Sequence, residues 1–398
     1  MTSVKLKPLG EQAEHVVVGY VGPSTEHFSD VGVPFLRTGN VGRRKIIHEG
    51  MIFVTNSFHK SQKKSQLKTG DVVITRVISE SINCAIIPKD LEGSNCGNII
   101  IVRPGDRIDP SYLTHLLSSR ESQKWLMSRQ VGSAQSVVNT SVLKSWEIPV
   151  LPIEEQRRIA AILDKADALR AKRREALAQL DRLAQSIFVE MFGDPATNPK
   201  GWPERAMSEL FETSPIFGTM IPPSVDGGEW LSLRVANIQD WRLDLTDQKF
   251  VTLPANMVER HSVMDGDLLL ARAIASQEHL GKAVVATPSG RKWAFDSHLM
   301  RLRFNHAQAL PEFVRHLWMT TGGRSLFLKA TRRSAVQFNI NTKEMNSLVL
   351  PMPPVQLQRE FVNRVLALDS MRQKQNLALI EFDGLFATLQ HRAFQGEL

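Results

Sequence analysis

The heptapeptide GDVVITR at residues 70–76 is matched by GDLLLAR at residues 266–272. Each copy predicts a tight Gly-Asp turn that leads into a buried strand ending at an arginine. Upstream of these turns, residues 35–41 resemble residues 231–238, with an arginine and an asparagine in matching places. The order and spacing of the two pairs of segments indicate an internal repeat.

Two further pairs of segments extend the repeat. The sequence at 109–113 predicts a helix that starts at a proline, and so does the sequence at 310–314. The proline-containing step at 148–152 matches the step at 350–354. Four segments recur in one order at a nearly constant offset of about 200 residues. The chain is therefore predicted to be a tandem duplication of a globular unit that is followed by a helix.

The segment after each proline-containing step has an apolar stripe at steps of three and four residues, which is typical of a long amphipathic helix. With no proline or glycine between Pro152 and Gly193, the first helix would be about 57 Å long. Each helix could pack on its own domain, or the two could pair antiparallel, which is the arrangement we favour. The first stripe contains Ile159, Leu163, Ala166, Leu169, Ala176, Leu180, Ala184, Ile187 and Met191, and the second contains Phe361, Val365, Leu368, Met371, Leu379, Phe382, Leu385, Leu389 and Phe394.

These patterns predict an α+β fold with a pseudo-two-fold internal repeat. Two similar mixed α/β domains are separated by two long helices that pair as an antiparallel coiled coil. The predicted boundaries are 1–150 for the first domain, 151–195 for the central helical region, 196–351 for the second domain and 352–398 for the C-terminal helical region.

Composition limits the class of protein. The 398 residues carry 49 Lys and Arg against 41 Asp and Glu, a net charge of +8, which is compatible with binding a polyanion. The sequence contains no apolar run long enough to span a membrane, and its N-terminus lacks the pattern of a secretory signal. Two cysteines, Cys84 and Cys96, cannot build a disulfide framework. We expect a cytoplasmic protein without a membrane partner.

The run from Leu151 to Pro195, followed by a second copy of the domain, resembles the specificity subunit of type I restriction-modification systems. The resemblance covers nearly the whole chain. It implies two target-recognition domains, each of which reads one half of a split, asymmetric site in double-stranded DNA. It also implies that the helices set the spacing between the half-sites and dock two adenine-methylating modification subunits, which are joined by motor-nuclease restriction subunits.

The sequence carries no motif of an active site. It lacks the Asn/Asp-Pro-Pro-aromatic loop of an adenine methyltransferase, a phosphate-binding glycine loop and His-x-x-x-His spacing beside a glutamate. The chain is therefore predicted to be non-catalytic and to hold no cofactor or metal, and the resemblance assigns S-adenosylmethionine, ATP and Mg to the partner subunits. The alternatives are a DNA-modifying enzyme with an unrecognised site and a coiled-coil adaptor that binds proteins.

Candidate DNA contacts lie mainly in the polar segment that follows the domain helix in each copy. Amide side chains suit adenine edges, arginine suits guanine, and lysine and hydroxyl groups suit phosphates. The alternative is that such residues only cap helices or form solvated basic loops. The predicted DNA contacts are Arg43, Arg44, Arg129, Ser133, Gln135, Asn139, Lys329, Arg332, Arg333, Gln337, Asn339 and Asn341. The predicted partner contacts, at the helix ends, are Gln156, Arg157, Phe192, Gln358 and Arg359.

Overall fold

The computed structural model describes residues 5–76, 81–129, 137–225, 227–333 and 338–397, with the backbone alone at 332 and 333. The chain forms two compact units: unit 1 is Met1–Glu175 with Asn376–Leu398, and unit 2 is Ala176–Gln375. The boundaries between the units fall inside the two long helices, so each helix contributes a segment to each unit.

Unit 1 combines short strands with short helices and two long helical segments. Its strands are β1 (Lys5–Pro8), β2 (His15–Val18), β3 (Phe28–Ser29), β4 (Val33–Leu36), β5 (Val41–Gly42), β6 (Lys45–Ile46), β7 (Ile52–Val54), β8 (Val72–Thr75), β9 (Cys84–Ile86), β10 (Asn95–Cys96), β11 (Ile99–Arg103) and β12 (Glu147–Val150). Its helices are α1 (Leu9–Gln12), α2 (Asn56–Ser61), α3 (Pro110–Leu117), α4 (Arg120–Met127), α5 (Thr140–Ser145) and parts of α6 (Ile153–Phe192) and α11 (Val355–Gln395).

The central sheet of unit 1 is antiparallel, in the order β2-β11-β8-β9. In this sheet Ile100 lies opposite both Val18 and Ile74. Strand β8 is buried on both faces, because successive side chains point to opposite sides of the sheet and all four residues are buried. One face packs on α3 and the long helices, and the other packs on a smaller core under a second sheet in the order β10-β4-β7-β3.

The Gly-Asp turn before β8 is held by its own carboxylate. Gly70 adopts a φ of +85°, which glycine tolerates without strain. The buried Asp71 accepts hydrogen bonds from the Lys68 amide at 2.8 Å and from Arg103 at 2.7 and 2.8 Å. The bond with Asp71 raises the pKa of Arg103.

The helical part of unit 1 is an antiparallel pair packed on the domain. On the first segment Ile159 and Leu163 are buried in the domain core. The second segment runs past it in the opposite direction, with Arg170 donating to Asp383 at 2.6 Å and lying over the Phe386 ring. Farther along, the Phe394 ring meets the Tyr112 ring edge-on, with centroids 5.5 Å apart.

Unit 2 repeats this plan. Its strands are β13 (Glu204–Ala206), β14 (Phe211–Phe217), β15 (Trp230–Leu233), β16 (Ile238–Gln239), β17 (Arg242–Leu243), β18 (Phe250–Val251), β19 (Leu268–Ala271), β20 (Ala273–Ile274), β21 (Ala283–Val285), β22 (Trp293–Phe295), β23 (Leu299–Phe304), β24 (Arg332–Arg333), β25 (Phe338–Asn339) and β26 (Val349–Pro351). Its short helices are α7 (Ala255–His261), α8 (Pro311–Met319), α9 (Thr321–Lys329) and α10 (Thr342–Ser347).

The central sheet of unit 2 has the order β14-β23-β19-β21, which matches the central sheet of unit 1. The turn before β19 is also the same: Gly266 has a φ of +84°, and Asp267 accepts from Arg303 at 2.7 and 2.8 Å. The helical segments again pair antiparallel, since Asp181 lies beside Arg372 and the Phe188 and Phe361 rings meet edge-on at 5.3 Å.

The predicted duplication and fold class are confirmed, because both units contain the same sheet order, the same Gly-Asp turn and the same antiparallel helical pair. The four predicted domain boundaries remain a prediction. Within the described residues, no helix is both long and apolar enough to cross a membrane.

Candidate nucleic-acid interface

A cleft of about 740 Å³ opens in unit 1 beside the turn after β4. The buried Asn40 shapes this turn, since its Oδ1 accepts from the Arg37 amide at 2.9 Å and its Nδ2 donates to the Ile47 carbonyl at 3.0 Å. Arg37 lines the cleft and donates through Nη2 to the Gly50 carbonyl at 3.2 Å. Tyr20 and Asn98 line it as well.

Unit 2 has two adjoining clefts of about 390 and 600 Å³ that share Ala273 and His298. The smaller cleft is shaped by an equivalent asparagine turn: Asn237 Oδ1 accepts from the Arg234 amide at 3.0 Å, and its Nδ2 donates to the Asp244 carbonyl at 2.9 Å. The larger cleft is lined by Arg260 and by residues of several loops. The two units therefore use one scaffold to form clefts with different linings.

An arginine stands at the end of the central strand in each unit, next to these clefts. Arg76 donates through Nη1 to Asn98 Oδ1 at 3.3 Å. The Arg272 guanidinium lies 4.0 Å from the centre of the Phe217 ring. The backbone carbonyls of Arg76 and Arg272 accept from the Val138 and Ile340 amides, both at 3.0 Å. Each predicted DNA-contacting segment is thus attached near its C-terminal end to the strand-end arginine.

The predicted DNA contacts of unit 1 divide between exposed and engaged side chains. Arg43 is exposed in the turn between β5 and β6. Arg44 is mostly buried and forms ion pairs with Asp164 and Asp167 of α6, which fixes this turn to the helix. Arg129 is exposed, and its guanidinium stacks 4.1 Å from the Trp125 ring centre.

Asn139 has a structural role in unit 1. It caps α5, because its Oδ1 accepts from the Val142 amide at 2.8 Å. Ser133 and Gln135 lie outside the described residues.

The predicted DNA contacts of unit 2 lie on and beside a small hairpin. Lys329 is exposed at the end of α9, and Asn339 on β25 lies opposite both Arg332 and Ala273. Arg332 and Arg333 form β24. Asn341 caps α10 by accepting from the Glu344 amide at 2.9 Å. Gln337 lies outside the described residues.

The comparisons with known proteins agree along the chain. The family model described as the type I restriction modification DNA specificity domain matches residues 19–180. The type I restriction enzyme EcoKI specificity subunit of Escherichia coli strain K12 is 24% identical over 94% of this chain and 84% of its own length. The StySPI specificity subunit of Salmonella potsdam is 23% identical over the same shares. The chain is similar to type I restriction enzyme specificity subunits over nearly its whole length.

Solved structures share the fold of this chain. A chain from a structure on complex assembly and conformational transition of the type I R-M system has a TM-score of 0.58 and 18% identity, with 100% of this chain and 99% of that chain covered. The type I S subunit from M. genitalium has a TM-score of 0.55 and 14% identity, with 99% and 97% covered.

Several of the predicted partner contacts are buried inside the protein. Gln156 and Gln358 are buried and fully hydrogen-bonded, and Phe192 is buried among the aromatic rings of unit 2. None of these three side chains is available to a partner surface. Arg157 and Arg359 are exposed on α6 and α11, and Arg157 pairs with Glu154 at 2.7 Å.

The clefts were not among the sites predicted from the sequence. Arg76, Arg272 and Asn98 were not among the predicted contacts, although the strand-end arginine was already visible in the repeat. An arginine that recurs after an all-apolar strand was the available signal. His298 and Arg260 had no such signal, because they come together only in the folded unit.

The two cysteines, which could in principle act as nucleophiles or metal ligands, lie in the protein core. Cys84 and Cys96 are free and buried, and burial raises the pKa of the Cys84 thiol to about 11. Across the described residues, no group of three or more His, Cys, Asp or Glu side chains is arranged to hold a metal ion.

Proposed function

We propose that this chain is the DNA sequence-specificity subunit of a type I restriction-modification complex, with one half of a bipartite site read by each unit. The observation that supports the proposal is the duplicated unit, in which a cleft and a strand-end arginine next to it occur twice. Adenine methylation and ATP-dependent cleavage would belong to partner subunits, which would bring S-adenosylmethionine, ATP and Mg. The chain itself would work beside DNA in the cytoplasm.

The different linings of the clefts support an asymmetric recognition site. The unit 1 cleft offers Tyr20, Asn98, Arg37 and the carboxylate Glu49. The larger unit 2 cleft offers two arginines and two histidines, but no carboxylate among the described residues that line it. Different donor sets in the major groove select different base pairs. Two unlike clefts in one chain would therefore read two unlike half-sites.

The long helices carry an exposed apolar surface that fits partner docking. In unit 1, Leu169, Leu377, Ile380 and Leu385 are each at least half exposed. In unit 2, Leu183, Val189, Leu366 and Met371 are exposed to a similar degree. Apolar side chains that recur along a helix and remain exposed are typical of a protein-binding face. Two modification subunits would cover these faces, and restriction subunits would join that assembly.

The proposal is tested by selecting random duplex DNA with the full chain assembled with its modification subunits. We expect two short specified blocks separated by an unread gap, and affinity that falls steeply with salt because phosphate contacts release counterions. A single continuous block of specified bases would contradict the proposal that each unit reads one half-site.

The rival classes predict different results. A modifying enzyme would bind S-adenosylmethionine as the isolated chain, which equilibrium dialysis measures. An adaptor would associate with proteins and would show no salt-dependent binding to DNA. Either outcome would replace the proposed function.

A further inference from the structure

The larger cleft of unit 2 contains the guanidinium of Arg272, which an aromatic ring holds in place but which has no hydrogen-bond partner among the described residues. Arg272 follows the buried strand β19, and its guanidinium stacks 4.0 Å from the Phe217 ring centre. Its Nε is shielded from solvent without a hydrogen-bond partner among the described residues. Burial lowers the pKa of Arg272, although the group stays charged. The terminal nitrogens of Arg272 also have no hydrogen-bond partner among the described residues, so they can donate to a ligand that supplies acceptors.

The surroundings of Arg272 fit a base edge better than a phosphate. Met220 and Met257 line the same cleft and provide apolar surface for a flat ring. Arg260 is exposed at the cleft and suits a phosphate from there. The adjoining carboxylate of Asp296 accepts from the His298 amide at 3.0 Å, and among the described residues it forms no hydrogen bond or ion pair with Arg272.

The position of the cleft also fits DNA contact. Ala273 lines it and pairs with Asn339 of the hairpin that contains several predicted DNA contacts. The equivalent arginine of unit 1, Arg76, is bonded to Asn98 and so presents a different donor set. The Nε of Arg76 is also shielded without a partner among the described residues, so the two arginines differ in their terminal nitrogens, of which Asn98 engages one in unit 1.

Building on the proposed function, we propose that Arg272 is a specificity-determining residue that reads a guanine in the half-site of unit 2. Its N–H donors would bond guanine O6 and N7 in the major groove, which is a common pairing of arginine with a base. The Phe217 ring holds the guanidinium in one orientation, so the fork is preorganised and little side-chain entropy is lost on binding.

The test begins with the motif that random duplex DNA selection gives for the wild-type assembly. If the wild type selects no bipartite motif, the proposed function fails, and the role of Arg272 falls with it. If it does, each guanine of the motif is replaced in turn by 7-deazaguanine, which lacks the N7 acceptor. We expect one position, in one half-site only, where affinity falls roughly 10-fold or more.

Two variants then connect that position to Arg272. Arg272→Gln replaces the guanidinium by an amide. At the sensitive position the wild type should prefer guanine over the other bases by roughly 10- to 100-fold, and the variant should prefer it by no more than about 3-fold, with the other positions unchanged. The variant should also bind DNA that carries guanine or 7-deazaguanine at that position with equal affinity. Arg260→Ala is the matched control. It should weaken binding to all sequences alike, and the slope of log affinity against log salt concentration should become smaller by about one.

The following results would contradict the proposed role of Arg272. An Arg272→Gln assembly that melts like the wild type and keeps the full guanine preference would overturn the assignment. Loss of both half-sites together would overturn it too, because one base contact cannot account for that. Should the variant fold poorly, the 7-deazaguanine scan on the wild type still decides, since no sensitive guanine in either half-site would contradict the proposal.

Discussion

Two buried glutamines at equivalent positions connect each long helix to its domain. Gln156 accepts from the Asp109 amide at 3.0 Å and donates to the Arg107 and Leu151 carbonyls at 3.0 and 2.9 Å. Gln358 makes the same set of bonds in unit 2, with the Leu310 amide and the Gln308 and Pro353 carbonyls. Each glutamine satisfies backbone groups that would otherwise be buried without partners.

Replacing one of these glutamines should destabilise its unit. Gln156→Leu fills a similar volume but leaves an amide and two carbonyls unpaired, so we expect unfolding to become easier by about 2–3 kcal/mol. Calorimetry would show an earlier transition for unit 1. The neighbouring Arg157→Ala is the control, and because it removes only an exposed pair it should change stability by less than about 0.5 kcal/mol. Equal effects of the two substitutions would contradict this account.

Several single residues have roles that could not be predicted from the sequence. Gln156 and Gln358 were predicted to meet partners because they recur beside the helix starts, but the pattern does not reveal that loops of the domain fold over them. Arg44 was a predicted phosphate contact, and its binding to two α6 carboxylates follows from tertiary packing across more than 100 residues. Asn139 and Asn341 cap helices, a role that the polar segments left open.

At the scale of elements, the helical pairs are held by equivalent ion-pair clusters. In unit 1 Arg170 bridges Asp167 at 2.8 Å and Asp383 at 2.6 Å, joining the two antiparallel segments. In unit 2 Arg372 bridges Asp369 at 2.9 Å and Asp181 at 3.9 Å. Both arginines are largely shielded from solvent, so these bonds specify the register of the pair more than surface charges would. The repeat predicted the pairing but not these partners.

Acid should loosen the contact between unit 1's domain and its helix. Burial opposes ionisation of Asp164, but hydrogen bonds from His115, Ser111 and Arg44 outweigh it and hold the pKa of Asp164 well below its ordinary value. Burial lowers the pKa of His115, whose Nε2 donates to the Asp164 carboxylate at 2.8 Å. The stability from Asp164 is present above its unfolded pKa of about 3.9 and is lost as the pH falls through the folded pKa.

Melting curves from pH 8 to 3 test this linkage. The first loss should begin below about pH 6.5, because unfolded histidines bind protons that buried His115 does not. A second loss should begin below about pH 4. Asp164→Asn should melt lower than the wild type at pH 7 and should lack much of the second loss. A variant curve parallel to the wild type below pH 4 would contradict the assignment to Asp164.

Two glycines in helices should respond in opposite ways to alanine. Gly384 lies inside α11, and a Cβ there would meet no atom within 4 Å, so Gly384→Ala should stabilise by about 0.5–1 kcal/mol. Gly322 lies in α9, where a Cβ would overlap the Asp194 carboxylate and come within 2.9 Å of the Ala196 backbone nitrogen, so Gly322→Ala should destabilise its unit. Chemical denaturation of both variants measures the contrast. Equal shifts in the same direction would show that the packing differs from this description.

At the scale of the whole molecule, the exposed apolar residues on the helices should govern assembly. Leu377→Asp combined with Ile380→Asp should leave the melting temperature nearly unchanged, because both side chains are more than 60% exposed. The double variant should bind modification subunits at least 10-fold more weakly, since it places charge in an apolar contact. Analytical ultracentrifugation of the mixture measures this, and wild-type assembly by the variant would exclude this face as the docking surface.

The central claim is that two separate domains in one chain read two halves of one DNA site. Its most direct test exchanges residues 5–150, the complete β1-to-β12 domain of unit 1, for the same domain of a relative with a different recognition site. Methylated adenines are then mapped by sequencing the DNA of cells that express the hybrid with its partner subunits. The account predicts that one half of the methylated motif changes to that of the relative, while the other half and the gap stay the same. A motif in which both halves change together would contradict it.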